Sequence, residues 1–169
     1  MRDVLFFSLV SLFFLFACEK EDDDHFVVDI DIVLTIATNE GTDLLDPAST
    51  NAIKKDDIRI YYEIVGKRET YQSTAGDGVV LDNPSGFTLN PSDGSPAFNQ
   101  KYFLTIISNP TVGKATTIIA LAGKGEVKLI ADVSKGNGYH RIDRISYNDN
   151  LVWPVPGNEG PKYVMAILD

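Results

Sequence analysis

The chain has 169 residues, a formal net charge of −9 and a pI near 4.6. This acidic balance argues against a nucleic-acid partner, whose recognition calls for a basic footprint. A single cysteine excludes an internal disulfide, and residues 26–169 have the length of one domain with its own core.

From Val4 to Ala17 every residue is apolar except Ser8 and Ser11. A run of about 14 residues suits a signal-peptide core and falls short of the roughly 20 that span a bilayer. It closes on Leu15-Phe16-Ala17-Cys18, with Glu19-Lys20-Glu21-Asp22-Asp23-Asp24 directly after. Leu15, Ala17 and Cys18 resemble the lipobox of bacterial lipoproteins, although Phe16 is larger than the usual residue at its position. The resemblance implies a signal peptide over 1–17, lipidation of Cys18 and handling by the lipoprotein export and processing machinery. Lys20, Glu21, Asp22, Asp23 and Asp24 are similar to the lysine-plus-acidic export signal of Bacteroidota lipoproteins. That implies an outer-membrane protein facing the cell exterior. Read as charge alone, residues 18–25 form a solvated acidic tether. Its carboxylates and His25 lack the preorganisation of a metal site. The overall acidity suggests a domain held off anionic lipid headgroups.

The rest of the chain alternates with period 2. Phe26, Val28, Ile30, Ile32, Leu34 and Ile36 define one apolar face, with Asp29, Asp31 and Thr35 on the other, which predicts one long first strand over 26–37. Thr38–Asp57 follows as a long loop, whose Leu44 and Leu45 are candidates to plug the end of a core. Ile58–Ile64 alternates again and turns at Gly66-Lys67 into a strand over Arg68–Gln72. Short strands are predicted at Gly78–Leu81 and Gly86–Leu89, then a second long loop over Asn90–Gln100. Asp93-Gly94 within it reads as a turn in preference to a calcium loop. Lys101–Ser108 is followed by Ala115–Ala122 and Glu126–Val133 around Gly123-Lys124-Gly125, a hairpin link. Arg141–Tyr147 and Leu151–Trp153 flank Asn148-Asp149-Asn150, and Tyr163–Leu168 closes the chain. No segment carries a helical apolar stripe. The pattern predicts an all-β antiparallel β-sandwich over residues 26–169.

The Gly41–Pro47 stretch, Ile58–Tyr62 with its Gly66-Lys67 turn, and Ile145–Trp153 resemble short Bacteroidota surface lipoproteins of unknown function. This resemblance implies an immunoglobulin-like sandwich and supplies no catalytic residue.

Chemistry-bearing motifs are absent from the sequence: no nucleophile elbow, zinc helix, P-loop, dinucleotide fingerprint or EF-hand loop. The histidines are His25 and His140. No cofactor or metal is expected. Tyr61 and Trp153 are the candidate ligand-stacking residues, though Trp153, beside Leu151 and Val152, reads first as core or rim packing. The expected role is a non-catalytic binding or accessory module for a glycan or protein ligand. Assembly by strand addition is the alternative, and a small hydrolase with an unrecognised site stands behind both.

Overall fold

The computed structural model of the protein describes residues 26–72, 83–94, 100–155 and 160–168. The leader, Cys18, the acidic run from Lys20 to Asp24 and the strand expected at Gly78–Leu81 lie outside the described residues.

Eleven strands form among the described residues: β1 (Val27–Asp29), β2 (Asp31–Thr38), β3 (Ile58–Ile64), β4 (Lys67–Thr70), β5 (Phe87–Pro91), β6 (Tyr102–Ile107), β7 (Gly113–Leu121), β8 (Gly125–Gly136), β9 (Tyr139–Tyr147), β10 (Asn150–Trp153) and β11 (Tyr163–Leu168). One sheet has the order β1-β9-β8-β7-β3-β4, with β10 also paired to β9; the other has the order β11-β2-β6-β5. Their apolar faces enclose one core. Ile32, Leu34 and Ile36 of β2 and Leu104 and Ile106 of β6 pack in it with Ile58, Ile119, Val127, Leu129 and Ile145 of the larger sheet. The protein is an all-β sandwich.

Two pairings depart from a purely antiparallel arrangement. β1 lies parallel to β9, and β11 lies parallel to β2. Strands joined by tight turns must pair antiparallel, but these partners are distant in sequence and free of that constraint.

The expected first strand divides. At Ile30 the chain leaves the larger sheet, where β1 pairs with β9, and enters the smaller one as β2. Ile32, Leu34 and Ile36 are buried as the alternation predicts, while Phe26 and Val28 remain exposed. A period-2 pattern reports side-chain direction along a strand and carries no sign of a change of sheet. Thr35, expected on the outer face, is also buried, and its hydroxyl shares a 2.8 Å hydrogen bond with Tyr163 Oη of neighbouring β11.

Turn positions also shift. Val65 and Gly66, in place of Gly66 and Lys67, sit at the centre of the β3–β4 turn with φ of 51° and 72°. That is the primed geometry whose twist matches a hairpin. Strands β8 and β9 run past Val133 and Arg141 to meet at Asn137-Gly138.

The registers define two ends. At the entry end β1 begins, β3 turns into β4, β7 starts and β8 turns into β9. At the opposite, distal end β2 finishes, β3 and β6 start and β7 turns into β8. Both long loops therefore leave the sandwich at the distal end.

Candidate functional site

The distal end is organised by two aspartates in the first long loop. Thr38 donates its N–H to the Thr42 carbonyl at 3.0 Å, and Gly41 donates to the Thr38 carbonyl at 2.9 Å. This small hairpin returns Asp43 to a position opposite Ala37. The Leu44 N–H then reaches the Ile36 carbonyl at 2.9 Å, and the Ile53 N–H reaches the Leu44 carbonyl at 2.7 Å. Leu44, Leu45 and Ile53 are thereby buried in the end of the core, the plug foreseen for the paired leucines.

Buried Asp43 satisfies three backbone donors. One carboxylate oxygen accepts from Leu45 N at 2.8 Å; the other accepts from Lys101 N at 2.9 Å and Tyr102 N at 3.0 Å. Asp46 accepts from Ala48 N at 2.9 Å and from Lys101 Nζ at 3.0 Å. The Ala48 N–H, and after it the Lys101 ammonium, hold the Asp46 carboxyl below the usual carboxylate range. The same hydrogen bond raises the Lys101 ammonium. Carboxylates hydrogen-bonded in this way are the stronger class of side-chain contact. They tie the start of β6, where the second long loop ends, to the first loop.

Beside this plug opens a concavity of about 390 Å³. Leu44 and Leu168 supply apolar surface, and Asn39, Glu40, Asn51 and Lys124 supply an acceptor, a cation and two amides. Its size is that of a ligand pocket, and a few polar groups around apolar surface are the usual means of fixing a ligand's orientation. Thr38 completes the lining with a hydroxyl. Sequence reasoning missed Glu40, Asn51 and Lys124. Only their membership of loops marked them, because the turn that joins them is tertiary.

A second concavity, of about 360 Å³, lies against Arg59, Ile60, Tyr71 and Phe87. Gly86 is required there: its φ is 75°, and a Cβ on it would lie 2.8 Å from the Tyr71 ring.

The two stacking candidates are not brought together. Tyr61 lies on β3 with the Arg68 guanidinium carbon 4.8 Å from its ring centroid. Trp153 lies on β10, packed against the core, and donates its Nε1–H to the Gly160 carbonyl at 3.3 Å. The Lys162 ammonium sits 5.7 Å from the Trp153 ring centroid and pairs with Asp29. Neither aromatic lines the distal concavity. Tyr62, neighbour of Tyr61, points the other way; it packs edge-to-face on Tyr71 and donates its hydroxyl to the Ile107 carbonyl at 3.0 Å. Burial raises its phenol above the usual range. His140 places Nε2 2.8 Å from the Pro110 carbonyl. Asp93-Gly94 forms a turn-like segment in which Gly94 N–H reaches Ser92 Oγ at 3.3 Å. Among the described residues, no cluster of three or more His, Cys, Asp or Glu side chains is placed to hold a metal ion. Comparison with family models, with curated proteins and with solved structures gives no match for the chain.

Proposed function

We propose that the chain is a lipid-anchored lipoprotein of the outer membrane, facing the cell exterior, whose sandwich binds a glycan or protein ligand without catalysis. The observation that carries this reading is polarity: the chain enters the domain at one end, and the tied loops with their concavity stand at the other. A rigid scaffold that displays loops away from its attachment point is a common basis for recognition. Asn39, Glu40, Asn51 and Lys124 would hydrogen-bond the ligand over Leu44 and Leu168. The purified chain is expected to retain ligands on glycan or protein arrays, and Glu40→Ala with Lys124→Ala to weaken retention about tenfold, as for two polar contacts. A hydrolysis product that accumulates with protein concentration and disappears on changing one carboxylate would move the protein to the enzyme class.

A second reading, assembly by strand addition, draws on β11. This edge strand, Tyr163–Leu168, has no charged side chain, whereas edge strand β4 carries Lys67, Arg68 and Glu69. Charge on an edge is a usual guard against pairing with another chain. Concentration-dependent oligomers that Met165→Lys abolishes would favour it.

A further inference from the structure

Three segments converge on the distal concavity: the Thr38–Gly41 turn with the loop after it, the β7–β8 turn, and the end of β11. Glu40 stands in the first turn, Lys124 lies between Gly123 and Gly125 in the second, and Leu168 is paired with Thr38 of β2. An acid and a base thus reach one hollow from separate loops. Among the described residues neither the Glu40 carboxylate nor the Lys124 ammonium has a hydrogen-bond or ion-pair partner. Elsewhere in the domain neighbouring opposite charges do meet, as Arg68 with Glu126, Lys128 with Glu63 and Arg141 with Asp143.

The other charges within residues 38–51, 121–126 and 168–169 are few. Asp43 holds three backbone N–H groups, Asp46 holds the Ala48 N–H and the Lys101 ammonium, and Glu126 holds Arg68. Asp169 follows Leu168 directly in the sequence and lies outside the described residues. Its charge and that of Glu40 stand against Lys124, so neither a bare anion nor a bare cation suits the hollow. A neutral sugar suits it no better, because closing over it would take Glu40 and Lys124 out of water with nothing opposite either. A ligand that carries one cation and one anion gives each of them a charge-assisted hydrogen bond. The same lining offers Leu44 and Leu168 as apolar surface, and Asn51, whose amide both donates and accepts as a peptide group requires. A volume of about 390 Å³ admits a short peptide and no folded domain.

We infer that the ligand of the distal concavity is a short peptide with free ends, its α-ammonium held by Glu40 and its α-carboxylate by Lys124. The inference rests on the binding role proposed above and decides between its two ligand classes in favour of peptide. The two ends are the one pair of opposite charges that every short peptide carries, whatever its sequence. Both side chains are loop-borne and near solvent, so each contact is of modest strength. Selectivity comes from requiring both ends at once: an internal stretch of a longer chain offers neither.

The test presents the full chain, solubilised in detergent and immobilised, with a random tripeptide library whose ends are free, N-acetylated or C-amidated. Retained peptide is measured by mass spectrometry. Acetylation and amidation are each expected to lower retention about tenfold, the loss of one charge-assisted contact. Glu40→Gln should lower retention of the free-ended library to a similar degree and become indifferent to acetylation, yet stay sensitive to amidation. Lys124→Gln should do the reverse. This crossed pattern separates contact with one end from a general loss of fold, which would abolish retention of every form. Equal retention of free and blocked libraries by the wild-type chain overturns the inference, as do variants that respond to both blocks as the wild type does. A neutral oligosaccharide retained equally by the wild-type chain and both variants overturns it too, while leaving the non-catalytic binding role standing. Retention of neither peptide nor oligosaccharide by the wild-type chain overturns both.

Discussion

Ile32 has no solvent exposure and packs in the core from β2, whereas Asp31, one residue earlier, reaches solvent. Ile32→Asp places an unpaired carboxylate between the sheets and is expected to cost more than about 4 kcal/mol. Asp31→Ile should stay within about 0.5 kcal/mol. Equal melting shifts for the two variants would contradict the assigned register. Asp31 also has a pH signature. Its carboxyl is raised above the ordinary range chiefly by burial, with Lys162 opposing and Asp29 adding to the rise. A raised carboxyl binds its proton more tightly in the folded state, so folding is favoured at low pH and loses that advantage as pH climbs through the folded value. Asp31→Asn should therefore melt higher than wild type near pH 7 and alike near pH 3. Melting curves at both pH values check this, and only the sign is predicted because the residue is solvent-accessible.

Among elements, the β3–β4 hairpin and the distal loops make opposite use of local chemistry. Val65 in a left-handed position is a steric cost, and Val65→Asn, which creates an Asn-Gly pair, should stabilise the domain by about 1 kcal/mol in denaturant melts. A neutral or destabilising result would mean that the valine packs against something. The distal loops depend on Asp43. Asp43→Ala leaves the N–H groups of Leu45, Lys101 and Tyr102 without their acceptor. The expected loss is about 2–3 kcal/mol, with faster proteolysis confined to residues 38–57 and 92–101. Unchanged cleavage there would show that the loops are held by their leucine plug alone. Asp46 acts in the opposite sense to Asp31: its carboxyl is depressed, so its contribution is present above the usual carboxylate range and is lost as pH falls.

At the scale of the molecule, the end where Phe26 enters the domain lies opposite the tied loops and their concavity, and the proposed anchor has its own tests. Labelled palmitate is expected to enter the wild-type protein and not Cys18→Ala; incorporation by the variant would defeat the anchor. Protease added to intact cells should degrade the domain, and alanines over Lys20–Asp24 should protect it. Equal accessibility would reduce the acidic run to a spacer. Because the two ends are far apart, substitutions at Glu40 or Lys124 and the Val65→Asn change should be additive in melts.

Local chemistry made most strands legible. Ile58 and Ile60 are buried on either side of exposed Arg59 and Tyr62 packs against the core, Gly123-Lys124-Gly125 closes a hairpin, and Asn148 and Asp149 adopt the left-handed φ those residues tolerate. The Asn137-Gly138 turn is absent from that reading, because the strands on either side extend further than their apolar pattern, where no burial constrains alternation. Tertiary structure alone decided the rest. The move of the chain from one sheet to the other at Ile30, the parallel partners of β1 and β11, and the meeting of Asp43 with Lys101 and Tyr102 all join residues far apart in sequence. Periodicity tells a side chain which way to face, but the partner that it meets depends on how the whole chain closes around its core.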